Sequence, residues 1–124
     1  MSDPRHALGL AVEAAVAAWL TRAGWTIVAR RVRSTEGGEV DIVAVDRQRI
    51  LVAVEVRARR DHRTGSAAES IDQRRIGRMR RTLAALAASA PGHAGLRIDL
   101  VTAEPVHGEL GSWALRRTAG IDAG

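Results

Sequence analysis

Asp41 and Glu55 stand in settings that ordinary strand chemistry does not explain. Each is a carboxylate inside an otherwise apolar run: Val40-Asp41-Ile42-Val43-Ala44-Val45 and Leu51-Val52-Ala53-Val54-Glu55-Val56. Burying an ionised carboxylate is costly unless a cation or hydrogen bonds compensate it. Two of them on facing strands also repel one another. An octahedral Mg2+ accepts two convergent carboxylates together with a backbone carbonyl and waters. Such an ion can activate water and stabilise the charge of a phosphoryl transition state. Arg57, two residues beyond Glu55, would then hold a phosphate or the attacking water. The competing reading is an Asp–Arg–Glu ion cluster that serves only the fold.

Register decides whether the two acids can meet. Side chains alternate along a strand, so Glu39 and Asp41 share a face, as do Glu55 and Arg57. A hairpin that sets Val43 opposite Ala53 also sets Asp41 opposite Glu55, with Cβ atoms about 5 Å apart, and Glu39 opposite Arg57. A slip of one residue would send the two acids to opposite faces. Glu13 is a third acid, at the edge of a helical apolar stripe near Val16 and Leu20. From there it reads either as an ordinary solvated helix residue or as an acid aimed over the sheet end towards Asp41.

The elements that would position these groups follow from periodicity. Asp3-Pro4 reads as an N-cap followed by proline in the first turn. Leu8, Val12, Ala15, Trp19 and Leu20 recur at helical spacing up to Gly24, which predicts a helix over about 5–23. Strands are predicted over 26–33, 39–45, 50–57, 96–103 and 112–118, with turns at 34–38 and 46–49. Ser66-Ala67-Ala68-Glu69 fits a capping box for a helix running to about Ser89, with Ile76, Met79, Leu83 and Leu86 as its apolar stripe. The order α-β-β-β-α-β-β predicts one α/β domain spanning residues 1–124. Its mixed sheet is covered by helices on both faces, and the late strand–helix–strand step is a right-handed crossover.

Arginines supply the basic groups. Arg74, Arg78 and Arg81 follow i, i+4, i+7 along the second helix, flanked by Arg75 and Arg80, and Arg57, Arg59, Arg60 and Arg63 lead towards it. A row of guanidinium forks suits phosphates; the alternative is a solvated helix face. All 19 basic residues are arginine and the formal net charge is +5, which favours a polyanionic partner. The absence of lysine points to a compositional bias, so each arginine is less informative than usual. The histidines, His62 included, read as isolated, and the three tryptophans as core.

Other function classes find little support. The sequence has no cysteine, so disulfides and thiolate metal sites are excluded. No apolar run is long enough for a membrane helix, and the N-terminal residues lack the pattern of a signal peptide. A cytoplasmic protein is expected. No glycine-rich phosphate loop and no Ser/His/Asp triad can be assembled.

Gly38-Glu39-Val40-Asp41-Ile42-Val43-Ala44 and Val54-Glu55-Val56-Arg57-Ala58-Arg59 resemble the core of the uncharacterised YraN protein family. Gly9, Glu13 and Trp19-Leu20 to Ala23-Gly24-Trp25 resemble its first helix. Ile71 to Arg81 resembles its basic helix, and Arg97-Ile98-Asp99-Leu100-Val101 its late strand. That family in turn resembles archaeal Holliday-junction resolvases and the PD-(D/E)xK nucleases. The resemblance implies a restriction-endonuclease-like fold and cleavage of DNA, including branched DNA, with Mg2+ or Mn2+, and a homodimer as the assembly. It implies that Asp41, Glu55 and Glu13 hold the metal, with Arg57 catalytic alongside Asp41 and Glu55; the spacing and charge of Arg59, Arg74, Arg78 and Arg81 make them the expected nucleic-acid contacts. Arg57 stands where the motif has lysine. A guanidinium is larger and stays protonated, so a binding module without catalysis on the same fold is the alternative.

Overall fold

The computed structural model describes residues 3–35, 37–59, 71–109 and 111–123. Helix α1 spans Pro4–Arg22. Its C-terminus closes as a Schellman motif: Gly24 takes φ +92°, the Trp25 amide donates to the Leu20 carbonyl and the Gly24 amide to that of Thr21, both at 3.0 Å. Glycine suits this position because a left-handed backbone carries no Cβ penalty there.

Strands β1 (Thr26–Arg33), β2 (Glu39–Val45) and β3 (Ile50–Ala58) form an antiparallel meander. Helix α2 (Gln73–Ser89) leads to β4 (Gly95–Pro105), which lies parallel to β3. β5 (Trp113–Thr118) pairs antiparallel with β4, giving the sheet order β1-β2-β3-β4-β5. This is the predicted mixed sheet and element order. The capping box at Ser66 and Glu69 lies outside the described residues; the cap of α2 is Asp72, whose carboxylate accepts from the Arg75 amide at 2.8 Å.

The two faces of the sheet are covered by different helices. Val12, Val16, Ala17 and Leu20 of α1 pack on Ile42, Ala44, Val52, Val54, Val101 and Ala103. Ile76, Met79 and Leu83 of α2 pack on Val40, Val43, Leu51, Ala53, Ile98 and Leu100. All three tryptophans belong to the α1-side core, Trp25 buried and Trp19 and Trp113 partly so. The buried stripe of α1 differs from the predicted one. It comprises Val12, Glu13, Val16, Ala17 and Leu20, while Leu8 is exposed. The alanines and valines of this helix make its periodicity weak, so packing against the sheet selects the face. No helix of the described residues is long and apolar enough to cross a membrane.

Candidate acidic site

The β2–β3 ladder pairs Val45 with Leu51, Ala44 with Val52, Val43 with Ala53 and Ile42 with Val54. This is the even register on which the site depends. The ladder stops one pair short of Asp41 and Glu55. There the Val56 amide turns to the carboxylate of Asp41, donating to Oδ2 at 2.8 Å. The pairings of Asp41 with Glu55 and of Glu39 with Arg57 therefore lie beyond the ladder.

Strand alternation also breaks at this point. Val40 packs with the α2-side core whereas Ile42 packs with the α1-side core, although the two are separated by one residue. Asp41, between them, lines a cavity under α1. On β1 the pairs Arg30–Ile42 and Val32–Val40 flank Arg31, whose backbone is left-handed at φ +51°. Arg30 and Arg31 both reach Glu13 of α1, at 2.9 and 3.9 Å. One local irregularity across two strands thus turns consecutive residues on each, Arg30 with Arg31 and Asp41 with Ile42, to the α1 side. A left-handed non-glycine residue carries a cost of about 1 kcal/mol or more. Here it accompanies the placement of charged side chains in a cavity.

That cavity has a volume of about 300 Å3 and is lined by His6, Gly9, Glu13, Arg31, Glu39, Asp41 and Val56, among others. Glu13 is 6% exposed and so sits within the buried stripe of α1, contrary to its reading as a solvated helix residue. Glu55, 4% exposed, is engaged from the other layer. Arg75 of α2 donates to it through Nε at 2.8 Å and Nη2 at 3.0 Å, and through Nη2 to the Glu39 carbonyl at 3.4 Å. Asp41 lies between the two groups. Burial raises its pKa to about 6, with Glu55 and Glu13 adding to the rise and the Val56 amide and Arg75 opposing it.

A fit to a hard cation can be judged on these donors. Among the described residues no three His, Asp or Glu side chains converge closely enough to ligate one ion. Asp41 and Glu13 share the cavity and offer the oxygen donors that such a cation prefers. Both oxygens of Glu55 are taken by Arg75, so Glu55 fits only once that pair opens. An even register does not gather the acids on one face, because the break at Asp41 divides them between layers.

The remaining sequence candidates lie near this centre or along α2. Arg57 and Arg59 are half-buried at the end of β3, both engaged with neighbouring groups, and the Arg59 amide donates to Ala103 at 2.8 Å. Arg74 and Arg81 are exposed. Arg78 lies beside Gly38, in a cleft also lined by Ser34, Gly37, Glu39 and Arg75. Arg80 turns away to Asp122, bonding its carboxylate at 3.4 Å and its carbonyl. Arg60, His62 and Arg63 lie outside the described residues.

His6, Arg30 and Arg31 escaped the sequence reading as site groups, and Arg75 was read only as a flank of the arginine row. Two left a signal. His6, Gly9 and Glu13 follow i, i+3, i+7 on one face of α1, and Arg75 precedes Met79 and Leu83 by four and eight residues on the stripe of α2 that enters the core.

Comparison with known proteins adds a family. The uncharacterised protein family UPF0102 matches residues 12–103, a span that contains Glu13, Asp41, Glu55 and Arg75. A UPF0102 protein of Burkholderia pseudomallei strain 1710b is 44% identical over 102 residues, which is 81% of this chain and 69% of the relative. One from Burkholderia mallei strain NCTC 10229 has the same identity and coverage. One from Burkholderia thailandensis is 39% identical over 100 residues, again 81% of this chain and 69% of the relative.

Proposed function

This chain belongs to the uncharacterised protein family UPF0102, and from that premise and the chemistry of its acidic cavity we propose that it is a Mg2+- or Mn2+-dependent endonuclease acting on DNA, including structured or branched DNA. The observation that carries the reading is Asp41. Burial raises its pKa to about 6, with Glu55 of β3 and Glu13 of α1 adding to the rise and the Val56 amide and Arg75 opposing it only in part. A carboxylate with a raised pKa, beside other acids and an open cavity, has capacity left for a cation. In this reading Asp41 and Glu13 hold the ion, and Glu55 joins them. When bound, the ion supplies Lewis-acid stabilisation of the charge that develops on a phosphate.

The chain's own residues do the rest. Val56 fixes the Asp41 carboxylate through its amide. Arg57, where the PD-(D/E)xK motif has lysine, orients phosphate as a permanent cation. Arg74, Arg78 and Arg81 follow the backbone along α2, with Arg59 at the mouth of β3. The net charge of +5 supports such a track. A homodimer would suit a branched substrate by presenting two such sites.

A second reading is favoured by a specific observation. Glu13 and Glu55 are already paired to guanidinium groups, which suits a nucleic-acid-binding module that does not cleave. One experiment separates the two: labelled linear and four-way-junction DNA are incubated with Mn2+ or Mg2+, beside Asp41→Ala and Glu55→Ala. Cleavage lost in both variants is the expected result. Salt-sensitive binding without cleavage would establish the binding module, and neither binding nor cleavage would overturn both readings.

A further inference from the structure

The turn between β1 and β2 and the flank of α2 beside it form the two walls of a groove. Gly37 and Gly38 are both left-handed, at φ +94° and +80°. The turn closes as the Ser34 amide donates to the Gly38 carbonyl and the Gly37 amide to the Ser34 carbonyl, each at 3.1 Å. Arg78 of α2 lies against it, with Nε 3.9 Å from where a Cβ on Gly38 would sit. Ser34 and Thr82 line both this cleft and a cavity of about 230 Å3 that is also lined by Val32, Arg33, Arg81, Ala85 and Leu86. Glu39 lines both the cleft and the cavity that holds Asp41. The groove therefore leads to the acidic site.

Its chemistry suits a phosphodiester strand. Among the described residues that line it, Glu39 is the one acid, against Arg33, Arg75, Arg78 and Arg81. Arg75 is committed to Glu55, which leaves three guanidinium forks for phosphate, beside the hydroxyls of Ser34, Thr35 and Thr82. The floor is apolar: Val32 and Leu86 are partly buried against the α2-side core, and a sugar or base can rest there. From Arg75 to Ala85 the helix rises about 15 Å, against about 3.4 Å of axis per nucleotide on one strand. The cavity is smaller than the roughly 300–1,000 Å3 of sites that bury a drug-sized molecule, so it admits one base with its sugar and not both strands of a duplex.

We propose that this groove holds a single strand of DNA, with its phosphates on Arg33, Arg78 and Arg81, and leads that strand past Glu39 to the acidic cavity. This rests on the nucleic-acid reading above, applies to both of its forms, with or without cleavage, and involves no metal ion.

The test is binding of a short labelled single strand of DNA to the full chain, by fluorescence anisotropy over a salt series, beside the matching duplex. Ala85→Glu sets an acid in the groove and should weaken single-strand binding about tenfold, as a like charge against a phosphate does. Ala84→Glu makes the same charge change at the neighbouring exposed position, outside the residues that line the groove, and should cost less than about twofold. Arg33→Gln should lower the slope of log affinity against log salt by about 0.7, the value of one phosphate contact on a single strand. Arg33 and Ala85 are exposed, so both variants should melt like the unmodified protein; should Ala85→Glu not, Arg33→Gln carries the test. Equal losses from Ala84→Glu and Ala85→Glu, with the slope unchanged in Arg33→Gln, would overturn the inference and leave nucleic-acid binding elsewhere on the molecule. A duplex bound as tightly as the single strand and weakened as much by Ala85→Glu would defeat the single-strand assignment. Competition by polyglutamate as strong as that by DNA would reduce the groove to a general anion surface and defeat it too. If the unmodified protein binds neither form of DNA, the nucleic-acid reading falls and the inference falls with it.

Discussion

Towards one end of the sheet, Asp99 is fully buried and accepts four hydrogen bonds: from Arg97 Nε and Nη2 at 2.8 and 3.1 Å, from Arg117 Nη1 at 2.9 Å, and from the Gly120 amide at 3.0 Å. Asp46, 7% exposed, takes the Gln48 and Ile50 amides and Arg97 Nη1. Both guanidinium groups lie over the Trp25 ring, 5.8 and 5.2 Å from its centre. At the other end, among the described residues, Asp41 accepts one bond, from the Val56 amide. Burial pushes up the pKa of both Asp46 and Asp41. The bonds from Ile50, Arg97 and Gln48 outweigh it at Asp46, which ends below the usual range, whereas Asp41 ends at about 6. A saturated network is a structural device, and an under-compensated one beside a cavity has capacity left for a ligand.

The contrast can be broken most sharply at the saturated end. Asp99→Ala would leave Arg117 without its carboxylate and Arg97 with Asp46 alone, and a loss of about 3–5 kcal/mol is expected in urea denaturation. A loss below about 1 kcal/mol would mean that this network is no more structural than the other.

Asp41 should respond in the opposite direction. Its folded pKa lies above the unfolded value, so its contribution to stability is fully present below pH 3.8 and is lost as pH rises through about 6. Above that, the ionised carboxylate destabilises the fold. Asp41→Asn, which can still accept from Val56, should therefore stabilise the protein by about 1–2 kcal/mol at pH 8, after allowing for partial exposure. The gain should vanish towards pH 4. Asp46 has the reverse sign, its contribution present above the usual carboxylate pKa and lost below it. Denaturation of Asp41→Asn at the two pH values checks this, and no gain at pH 8 would make the two ends alike.

Metal binding should follow the same group. Protons and Mn2+ compete for Asp41, so affinity should fall by up to about tenfold per pH unit as pH drops below 6. A pH-independent affinity would place the ion elsewhere. The smallest effect is expected on the outer face of α2: Arg74→Ala and Arg81→Ala should each lower the slope of log affinity against log salt by about 1, with stability changed by less than about 0.5 kcal/mol. An unchanged slope would remove them from the phosphate track.

Much of the scaffold could be read from residues close together in the chain. The run Leu51 to Val54 predicts a doubly covered strand and Gly24 a helix end; the hairpin itself is predicted, while its register, which places Val43 opposite Ala53, enters only as a condition for the site. Those signals are local, because hydrophobic period and turn chemistry act within a few residues. Asp41 and Glu55 stood out for the same reason, as charges in apolar runs. Strict alternation then misled: it assigned both acids to one face, and the left-handed Arg31 with the parity break at Asp41 lies outside any two-residue period.

The charge partners were set by packing across the fold. Arg57 was the nearest cation in sequence to Glu55, yet the fork on Glu55 comes from Arg75, twenty residues on and in another layer. Glu13 meets Arg30 and Arg31 because α1 crosses the irregular end of β1, and α1 buries a face that its run of alanines and valines hardly marks. Residue types and their periods thus define the strands, the helices and the fact that acids must be compensated. Which guanidinium compensates which acid, and which acid remains short, depends on how helices settle on the two faces of the sheet, since Coulomb and hydrogen-bond energies depend on distance in space and not along the chain.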